Sequence, residues 1–460
     1  MSKKNREKRA FARQLAAGAP IAHAAMPPVG AQMVRPPVGK NSITKFSASD
    51  KVLYKDSLIP TIKPFSVPTR YKRAPDDQEM SIYGKPFVMG YAGDYTGCGH
   101  LRIILPFAIA NAKYARASKL QFMTPAYPVF QEDVLTFTRA VWIQRPSSAE
   151  TNGMTLQYKE LQEKYNYAMI GELDDCMWEV PEYNSSLKYS KIEMNRTIRD
   201  SFMMMDKVSV STNYLKESMA STIGIPLDNI VVNDNTIPKS LYGFNESRSI
   251  SADLEKPIVL YNGSPTHYNN ATRMAGDLGG NIAEFILKYH DEFRIVFMGG
   301  HPWYVDDLVK AGKIAQTPWF DTFEYGYALR RMRPDFILMP LLDNEFNRCK
   351  SNIKYLEACA VGAIGIGSNF KNSPYENNDI TINWSMSAEQ IRDLIHNLSA
   401  RDIFNRTLRS QEAYITPRWM DTPENLMRYI ELSNIRNDAW TIDRSHYMWD
   451  KLKSHLEADE

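Results

Sequence analysis

Short apolar runs alternate with longer amphipathic stretches along most of this chain. The apolar runs are four to nine residues long, rich in Val, Ile, Phe and Met, and most are followed by a polar or glycine-containing turn. Runs this short and this uniformly apolar are typical of parallel strands that are buried on both faces. Helical periodicity is clear at residues 151–165 and 388–398. The predicted strands lie at residues 85–93, 119–123, 139–144, 167–175, 207–212, 229–232, 257–264, 293–300 and 335–342.

The alternation stops once, and this break predicts two domains. Residues 236–256 are polar and follow neither period, and the alternation restarts after them. We therefore predict an α/β protein with two doubly wound Rossmann-like domains, residues 76–245 and 246–425, that face each other across a cleft. Residues 426–460 are predicted to form a helical tail that packs back on this body. Ligands of such sheets bind at the carboxyl ends of the strands, so the turns there are the candidate sites.

The N-terminal residues differ from the rest in charge and composition. The chain has 460 residues and a formal charge of +2, yet residues 1–73 contain fifteen Lys/Arg and three Asp/Glu, a charge of +12. The remaining 40 basic and 50 acidic residues give −10. Residues 1–75 are also rich in Pro, which predicts a mostly disordered arm. Such an arm is either a solvated tail or a tether to a polyanion such as DNA.

Three absences in the sequence narrow the class of protein. The sequence has no run of eighteen apolar residues and no apolar core of a secretory signal, so we expect a cytoplasmic protein without integral membrane contact. The four cysteines have no spacing typical of metal ligands. This favours a reducing compartment and argues against a structural zinc.

Residues 349–368 (CKSNIKYLEACAVGAIGIGS) carry the strongest candidate site. They follow a predicted strand and a short polar loop, so they open a helix at a strand's carboxyl end. Ser351 or Asn352 is expected to cap this helix. Its first N–H groups, with Lys350 and Lys354, form an anion site. Glu357, one turn later, is placed to bind hydroxyl groups. A nucleotide sugar has both features.

Two turns in the first half are weaker candidates. Residues 93–102 (GDYTGCGHLR) join a strand to a helix and contain three glycines, which lets the backbone approach a ligand. A tight turn without a ligand is the alternative. Asp174 and Asp175 end another strand. They are candidates for a base, a metal ligand or the orientation of an acceptor hydroxyl, and the alternative is a local cap. His267, in a turn of the second half, is either structural or a donor contact.

The layout and residues 350–368 resemble the C-terminal half of GT-B glycosyltransferases of the retaining kind grouped with family 4. The run LEACAVGA is similar to that family's E-A-x-A-x-G run. The pieces TGCGHLRIILP, IQRPSS, GELDDCMW and VSVSTNYL resemble a subgroup frequent in bacteriophage genomes. The family often has a glutamate, associated with the transferred sugar, eight residues before Glu357. This chain has Cys349 there, which leaves the sugar's identity open.

The resemblance implies roles for the candidate residues. Glu357 would bind the donor ribose, and the start of its helix would bind the diphosphate. His100 and Asp175 are the predicted catalytic residues. No metal and no cofactor are expected, because the basic groups would balance the charge of the leaving diphosphate. The other predicted donor-binding residues are Gly99, Arg102, Ser264, His267, Lys350, Ser351, Asn352, Ile353 and Lys354.

The predicted function is transfer of a sugar from a nucleotide-diphosphate sugar to an acceptor hydroxyl. The subgroup and the basic arm favour a hydroxymethylated base in bacteriophage DNA as the acceptor, in the cytoplasm of an infected cell. One alternative is transfer to a surface polysaccharide or a lipid-linked sugar. The other is a non-catalytic structural or binding protein with a glycosyltransferase-like fold.

Overall fold

The computed structural model describes residues 86–118, 120–135, 137–184, 191–243, 256–376 and 380–436. The predicted basic arm and most of the predicted C-terminal tail lie outside these residues. The described helices include none that is both long and apolar enough to cross a membrane.

Six parallel strands form the sheet of the first half, in the order β2-β1-β3-β4-β5-β6. Residue pairs such as Met89 with Val141 and Ile143 with Gly171 fix the register of the central strands. These strands are buried along their whole length, as expected for a sheet covered on both faces. The strands are β1 (Phe87–Tyr91), β2 (Gln121–Met123), β3 (Thr138–Gln144), β4 (Ala168–Leu173), β5 (Lys207–Val210) and β6 (Ile230–Val232).

The second half has its own six-stranded parallel sheet, in the order β12-β11-β10-β7-β8-β9. The two sheets together confirm the predicted fold class of two doubly wound Rossmann-like domains. The sequence pattern missed β9 and β12, which are three residues long. The strands are β7 (Ile258–Tyr261), β8 (Arg294–Met298), β9 (Ala315–Thr317), β10 (Phe336–Met339), β11 (Ile364–Ser368) and β12 (Ile380–Ile382).

Helices connect the strands and cover both sheets. Several begin at a side chain that accepts a hydrogen bond from the first turn, among them Ser148, Thr212 and Asp321. The helices are α1 (Gly97–Gly99), α2 (Leu105–Ser118), α3 (Glu132–Leu135), α4 (Ala149–Tyr165), α5 (Lys191–Met203), α6 (Asn213–Ser218), α7 (Lys239–Tyr242), α8 (Gly280–Tyr289), α9 (Asp306–Lys310), α10 (Thr322–Met332), α11 (Glu345–Arg348), α12 (Ile353–Val361), α13 (Ala388–His396), α14 (Ala400–Ser410) and α15 (Pro423–Ser433).

The last described helix, α15, belongs to the core of the first half. Its residues Leu426 and Ile430 are buried in one cluster with Val88, Phe107 and Trp142. The Trp142 indole N–H donates to Ser433 Oγ at 3.0 Å. The chain therefore returns to its first half after completing the second.

Part of the predicted linker is also packed. Ile237 pairs with Trp419, and α7 places Leu241 and Tyr242 in the hydrophobic core of the second half. Residues 244–255 of that linker lie outside the described residues. The polar sequence did not predict the short helix α7, whose Tyr242 contributes a side chain to the candidate site.

Candidate functional site

Each sheet has a point where the chain reverses the direction in which it adds strands. In the second half this point lies between β7 and β10, and in the first half between β1 and β3. Loops diverge there, and the crevice at the carboxyl ends of the strands is where such sheets bind ligands. The start of α12 and the loop after β7 border the second-half crevice. The Gly93–Gly99 loop and Arg145 border the first-half crevice.

Glu357 is the centre of a buried polar cluster in the second half. Its carboxylate accepts hydrogen bonds from Tyr242 Oη at 3.2 Å, Asn262 Nδ2 at 3.1 Å and Tyr325 Oη at 2.9 Å. Burial raises the pKa of Glu357 to about 7, although these donors and Lys354 lower it. A carboxylate offers about four acceptor positions. The cluster therefore leaves capacity for one further donor, such as a ribose hydroxyl.

The start of α12 has no side-chain cap. Asn352 occupies the N-cap position without a hydrogen bond from its side chain to the first turn. Ser351 Oγ instead accepts a hydrogen bond from Asn235 Nδ2 at 2.5 Å, from the first half. The prediction that Ser351 or Asn352 caps this helix is therefore wrong. The first-turn N–H groups, starting at Ile353, keep their capacity to bind an anion.

Lys354 lies beside this helix start in a desolvated position. Its Nζ is 4.9 Å from the centre of the Tyr261 ring. Burial and the nearby charge of Lys350 lower the pKa of Lys354 to about 8, although Glu357 and Asp277 raise it. A Cβ on Gly263 would lie 2.8 Å from Nζ, so this glycine leaves space next to the ammonium. A positive charge in this half-buried position interacts more strongly with an arriving anion than a fully solvated one does.

Lys350 connects the two halves. Its Nζ lies 3.3 Å from Asp175 Oδ1 of the first half and 4.3 Å from the centre of the Phe346 ring. The predicted catalytic Asp175 and the predicted diphosphate ligand Lys350 are thus brought together. Their contact spans the boundary between the halves.

His267 is held by Asp277, a residue that the sequence did not single out. His267 Nδ1 lies 2.7 Å from Asp277 Oδ2. Burial and the charge of Lys354 lower the pKa of His267 to about 4, against the influence of Asp277, so its imidazole is neutral near pH 7. With Nδ1–H donating to Asp277, Nε2 is the acceptor. Ser264, on the same loop, has its Oγ 2.5 Å from Thr266 Oγ1.

Asp277 also joins the two halves. Its Oδ1 accepts from Tyr183 Oη of the first half at 2.9 Å and from Asn347 Nδ2 at 2.8 Å. The backbone N–H of Leu342 donates to the same oxygen at 2.8 Å. Burial alone would raise the pKa of Asp277, but the hydrogen bonds from His267, the Leu342 N–H and Tyr183 lower it below its ordinary value. The Asp277 carboxylate is therefore ionised, and its hydrogen bonds hold one side of the second-half crevice in place.

The glycine-containing loop of the first half is organised by Asp94. Its Oδ1 accepts from the N–H of Thr96 at 2.9 Å and from the N–H of Gly99 at 3.1 Å. A Cβ on Gly99 would lie 1.7 Å from Asp94 O, so this turn requires glycine. His100 is buried, with Nδ1 3.0 Å from Thr96 O and its ring edge-to-face with Phe323 of the second half. Burial lowers the pKa of His100.

Arg102, which the sequence predicts beside the donor, is bound inside the first half. Its side chain is 2 % exposed. Arg102 Nε donates to Glu172 at 2.6 Å, and Nη1 donates to Asn235 Oδ1 at 3.0 Å and to Asn233 O. Burial alone would lower the pKa of Arg102, but Glu172 raises it above its ordinary value. Arg102 is thus an interior ion-pair residue.

Arg145, which the sequence did not single out, gathers three carboxylates at the end of β3. It binds Asp174 with Nε at 2.6 Å and Nη2 at 2.8 Å, Asp175 at 3.2 Å and Asp94 at 3.3 Å. Burial alone would raise the pKa of Asp174, but Arg145 lowers it. Cys98, Asp174 and Asp175 offer ligand atoms within 4.8 Å of one another. Because Arg145 already donates to both carboxylates, we interpret this cluster as an ion-pair network.

Cys349, where the glycosyltransferases that the sequence resembles often have a glutamate, faces the first half. It is fully buried in one hydrophobic cluster with Cys176 and Phe346. Its carbonyl accepts a hydrogen bond from Thr212 Oγ1 at 3.1 Å. The side chain at this position therefore contributes to packing between the halves.

The chain is similar to several solved structures at low sequence identity. No protein-family model matches the chain, and no curated protein matches its sequence. Among solved structures, a glycosyltransferase from Rickettsia africae has 15% identity, a TM-score of 0.49, and coverage of 76% of this chain and 98% of its own. Anabaena HepE in complex with UDP has 10% identity, a TM-score of 0.49, and coverage of 76% and 100%. Sucrose-phosphate synthase from Thermosynechococcus elongatus has 10% identity, a TM-score of 0.46, and coverage of 82% and 100%.

Proposed function

We propose that this protein is a glycosyltransferase that transfers a sugar from a nucleotide-diphosphate sugar to an acceptor hydroxyl. The observation that carries the proposal is the arrangement on α12. An uncapped helix start, Lys354 and Glu357 follow one another within two turns at the strand reversal of the second half. The anion-binding groups and the hydroxyl-binding carboxylate thus follow one another along the helix in the same order as the diphosphate and the ribose of one ligand.

In the proposed reaction the donor half stabilises the leaving group. The nucleoside diphosphate gains negative charge as the glycosidic bond breaks. The N–H groups at Asn352 and Ile353, with Lys350 and Lys354, are positioned to bind that charge, which lowers the barrier. These groups are the proposed substitute for a metal ion. Retention of anomeric configuration is part of the proposal and follows from the family resemblance.

The first half is the proposed acceptor side. Asp175 lies at the boundary, 3.3 Å from Lys350, where it would orient the acceptor hydroxyl. His100, with Nδ1 directed to Thr96, would present Nε2 to the transferred sugar, and Gly99 would let the backbone approach it. Ser264 and His267 would line the donor side. Binding of the diphosphate would compete with Asp175 for Lys350 and leave the Asp175 carboxylate available to the acceptor.

A panel of nucleotides tests the proposal most directly. A ligand that binds only the folded chain raises its melting temperature, and the rise grows with the logarithm of the ligand concentration divided by the dissociation constant. We expect stabilisation by one or more nucleoside diphosphates and turnover of the matching nucleotide sugar. Glu357→Gln should reduce both. Absence of stabilisation by every nucleotide would refute the proposal, and binding without turnover for any acceptor would favour the non-catalytic alternative.

The proposed acceptor is a hydroxymethylated base in bacteriophage DNA. This part of the proposal rests on the basic N-terminal arm, which would bind the DNA. A DNA acceptor would place the reaction in the cytoplasm of the infected host. Labelled sugar should reach hydroxymethylated DNA and not plain DNA, and deletion of residues 1–73 should remove salt-sensitive DNA binding. If label instead reaches a polysaccharide or a lipid-linked sugar, or if the deletion removes liposome binding, the alternative acceptor class is correct.

Nucleotide binding is expected to be strongest between about pH 7 and about pH 8. Below this window Glu357, whose pKa is raised to about 7, gains a proton and loses acceptor capacity. Above it Lys354, whose pKa is lowered to about 8, loses its charge. Calorimetric titrations at closely spaced pH values on both sides of the window would show a bell-shaped affinity.

The same titrations with Glu357→Gln provide the control. The variant should lose the acid limb that belongs to Glu357 and keep the basic limb that belongs to Lys354. An acid limb that persists unchanged in the variant would belong to the nucleotide's own phosphate. A flat profile in the parent protein would contradict the assigned roles of both residues.

A further inference from the structure

The short helix α11 packs in the core of the first half, although the chain on both sides of it belongs to the second half. Phe346 of this helix and Cys349, which directly follows it, are buried. Both belong to a hydrophobic cluster whose other buried members, among the described residues, all lie between residues 87 and 230. The next helix, α12, instead places Leu356 in the core of the second half. The chain therefore passes from one core to the other just before the proposed donor-binding helix.

Glu345 ties α11 to the first half by two hydrogen bonds. Its Oε2 accepts from Tyr214 Oη at 2.8 Å, and its Oε1 accepts from Ser218 Oγ at 2.9 Å. Both hydroxyl groups lie on α6 of the first half. Ser218 Oγ in turn accepts from the Trp178 indole N–H at 3.2 Å, which fixes the direction in which this hydroxyl donates. Both carboxylate oxygens of Glu345 are therefore held by one helix of the other half.

The same segment carries Lys350, a proposed ligand of the diphosphate. The Lys350 ammonium lies 4.3 Å from the centre of the Phe346 ring and 3.3 Å from Asp175 Oδ1 of the first half. The carbonyl of Cys349 accepts from Thr212 Oγ1, also of the first half, at 3.1 Å. Groups of the first half and of α11 thus position Lys350, whereas the N–H groups at the start of α12 belong to the second half. The proposed diphosphate site has contributions from both halves.

We infer that Glu345 is a positioning residue for the donor, because it holds the segment that carries Lys350 against α6. The inference rests on the proposed function, since that function assigns the diphosphate to Lys350 and to the start of α12. Glu345 acts through Phe346 and Lys350, which follow it on the same segment. Donor affinity consequently depends on two hydroxyl groups of a first-half helix.

The test removes polar groups from this contact and measures donor affinity. Binding of UDP, CDP, ADP and GDP is measured by calorimetry for the full-length parent, Tyr214→Phe, Glu345→Ala and Glu345→Gln. We expect Tyr214→Phe to weaken the best-bound nucleoside diphosphate by about 5-fold to 10-fold, and Glu345→Ala by about 10-fold to 100-fold. Glu345→Gln keeps one oxygen that accepts from Tyr214 and gains an N–H group that donates to Ser218, so it should retain most of the affinity.

Tyr167→Phe is the matched control, since it also removes one hydroxyl group from the first half. Tyr167 Oη donates to the carbonyl of Tyr158, so this bond lies within the first half. The control should lower the melting temperature and leave nucleotide affinity unchanged. A double-mutant cycle completes the test. Tyr214→Phe added to Glu345→Ala should cause no further loss of affinity, because the hydrogen bond that it removes is already absent.

The outcomes separate this inference from the proposed function. If Tyr214→Phe binds nucleoside diphosphates as tightly as the parent, the positioning role is wrong while the donor site stands. If Tyr167→Phe weakens binding as much as Tyr214→Phe does, affinity follows the stability of the first half and the inference also fails. Additive losses in the double-mutant cycle would contradict it as well. If the parent binds none of the nucleoside diphosphates, the proposed function fails and the positioning role fails with it.

Discussion

Replacing Lys354 with methionine is expected to weaken binding of a nucleoside diphosphate by about 10-fold to 100-fold, because hydrogen bonds to charged groups contribute ~1.5–3 kcal/mol. The lowered pKa of Lys354 indicates that the fold holds its ammonium in an unfavourable, desolvated position. Methionine has a similar length and keeps the packing over Tyr261. The melting temperature of the free variant should therefore be equal to that of the parent or higher. Calorimetry and thermal unfolding measure the two effects.

Lys288→Met is the matched control for this prediction. Lys288 also lies over a tyrosine ring, 5.5 Å from the centre of Tyr289, but on α8 at the outer surface. It should bind nucleotides as the parent does. If Lys354→Met retains full affinity, the diphosphate does not bind at the start of α12.

Replacing Arg102 with methionine is expected to lower the free energy of unfolding by ~3–5 kcal/mol, because removal of one partner leaves a buried charge uncompensated. Glu172 is fully buried and Arg102 is 2 % exposed, so water does not replace the lost contact. Chemical denaturation of the variant and the parent measures the loss. The expected change is among the largest that a single substitution in this chain can produce.

The double variant Arg102→Met with Glu172→Leu is the control. Replacing both charges with apolar groups of similar size removes the uncompensated carboxylate and should recover most of the stability. The double variant should also bind nucleotides as the parent does if the role of Arg102 is the interior ion pair with Glu172. A stable double variant without nucleotide affinity would support the sequence-based prediction that Arg102 contacts the donor.

The fold could be predicted because each strand is marked by a signal within its own short segment of sequence. Buried parallel strands are continuous apolar runs, so β1, β4 and β10 could be recognised without knowledge of their neighbours. The strands β9 (AQT) and β12 (ITI) are short and contain polar residues, so neither forms a continuous apolar run. Lys354 and Glu357 could be assigned together because they lie one turn apart on the same helix.

The remaining parts of the site depend on contacts between distant segments. Tyr242 and Tyr325 reach Glu357 across 115 and 32 residues of sequence. Ser351 could not be excluded as a cap, because Asn235 binds its hydroxyl from the other half. Arg102 follows a glycine-containing turn, and its inward direction depends on Glu172, seventy residues later. Such partners are determined by packing and leave no pattern in the local sequence.

The position of α15 has a consequence for synthesis on the ribosome. Domains generally fold as units, with the N-terminal one first, as the chain emerges. Here one wall of the first half's core, including Leu426, Tyr429 and Ile430, is encoded almost at the end of the described chain. The faces of Phe107 and Trp142 that pack on this helix stay uncovered until then. The first half is therefore completed after the second, and a nascent chain carries an exposed aromatic surface for most of its translation.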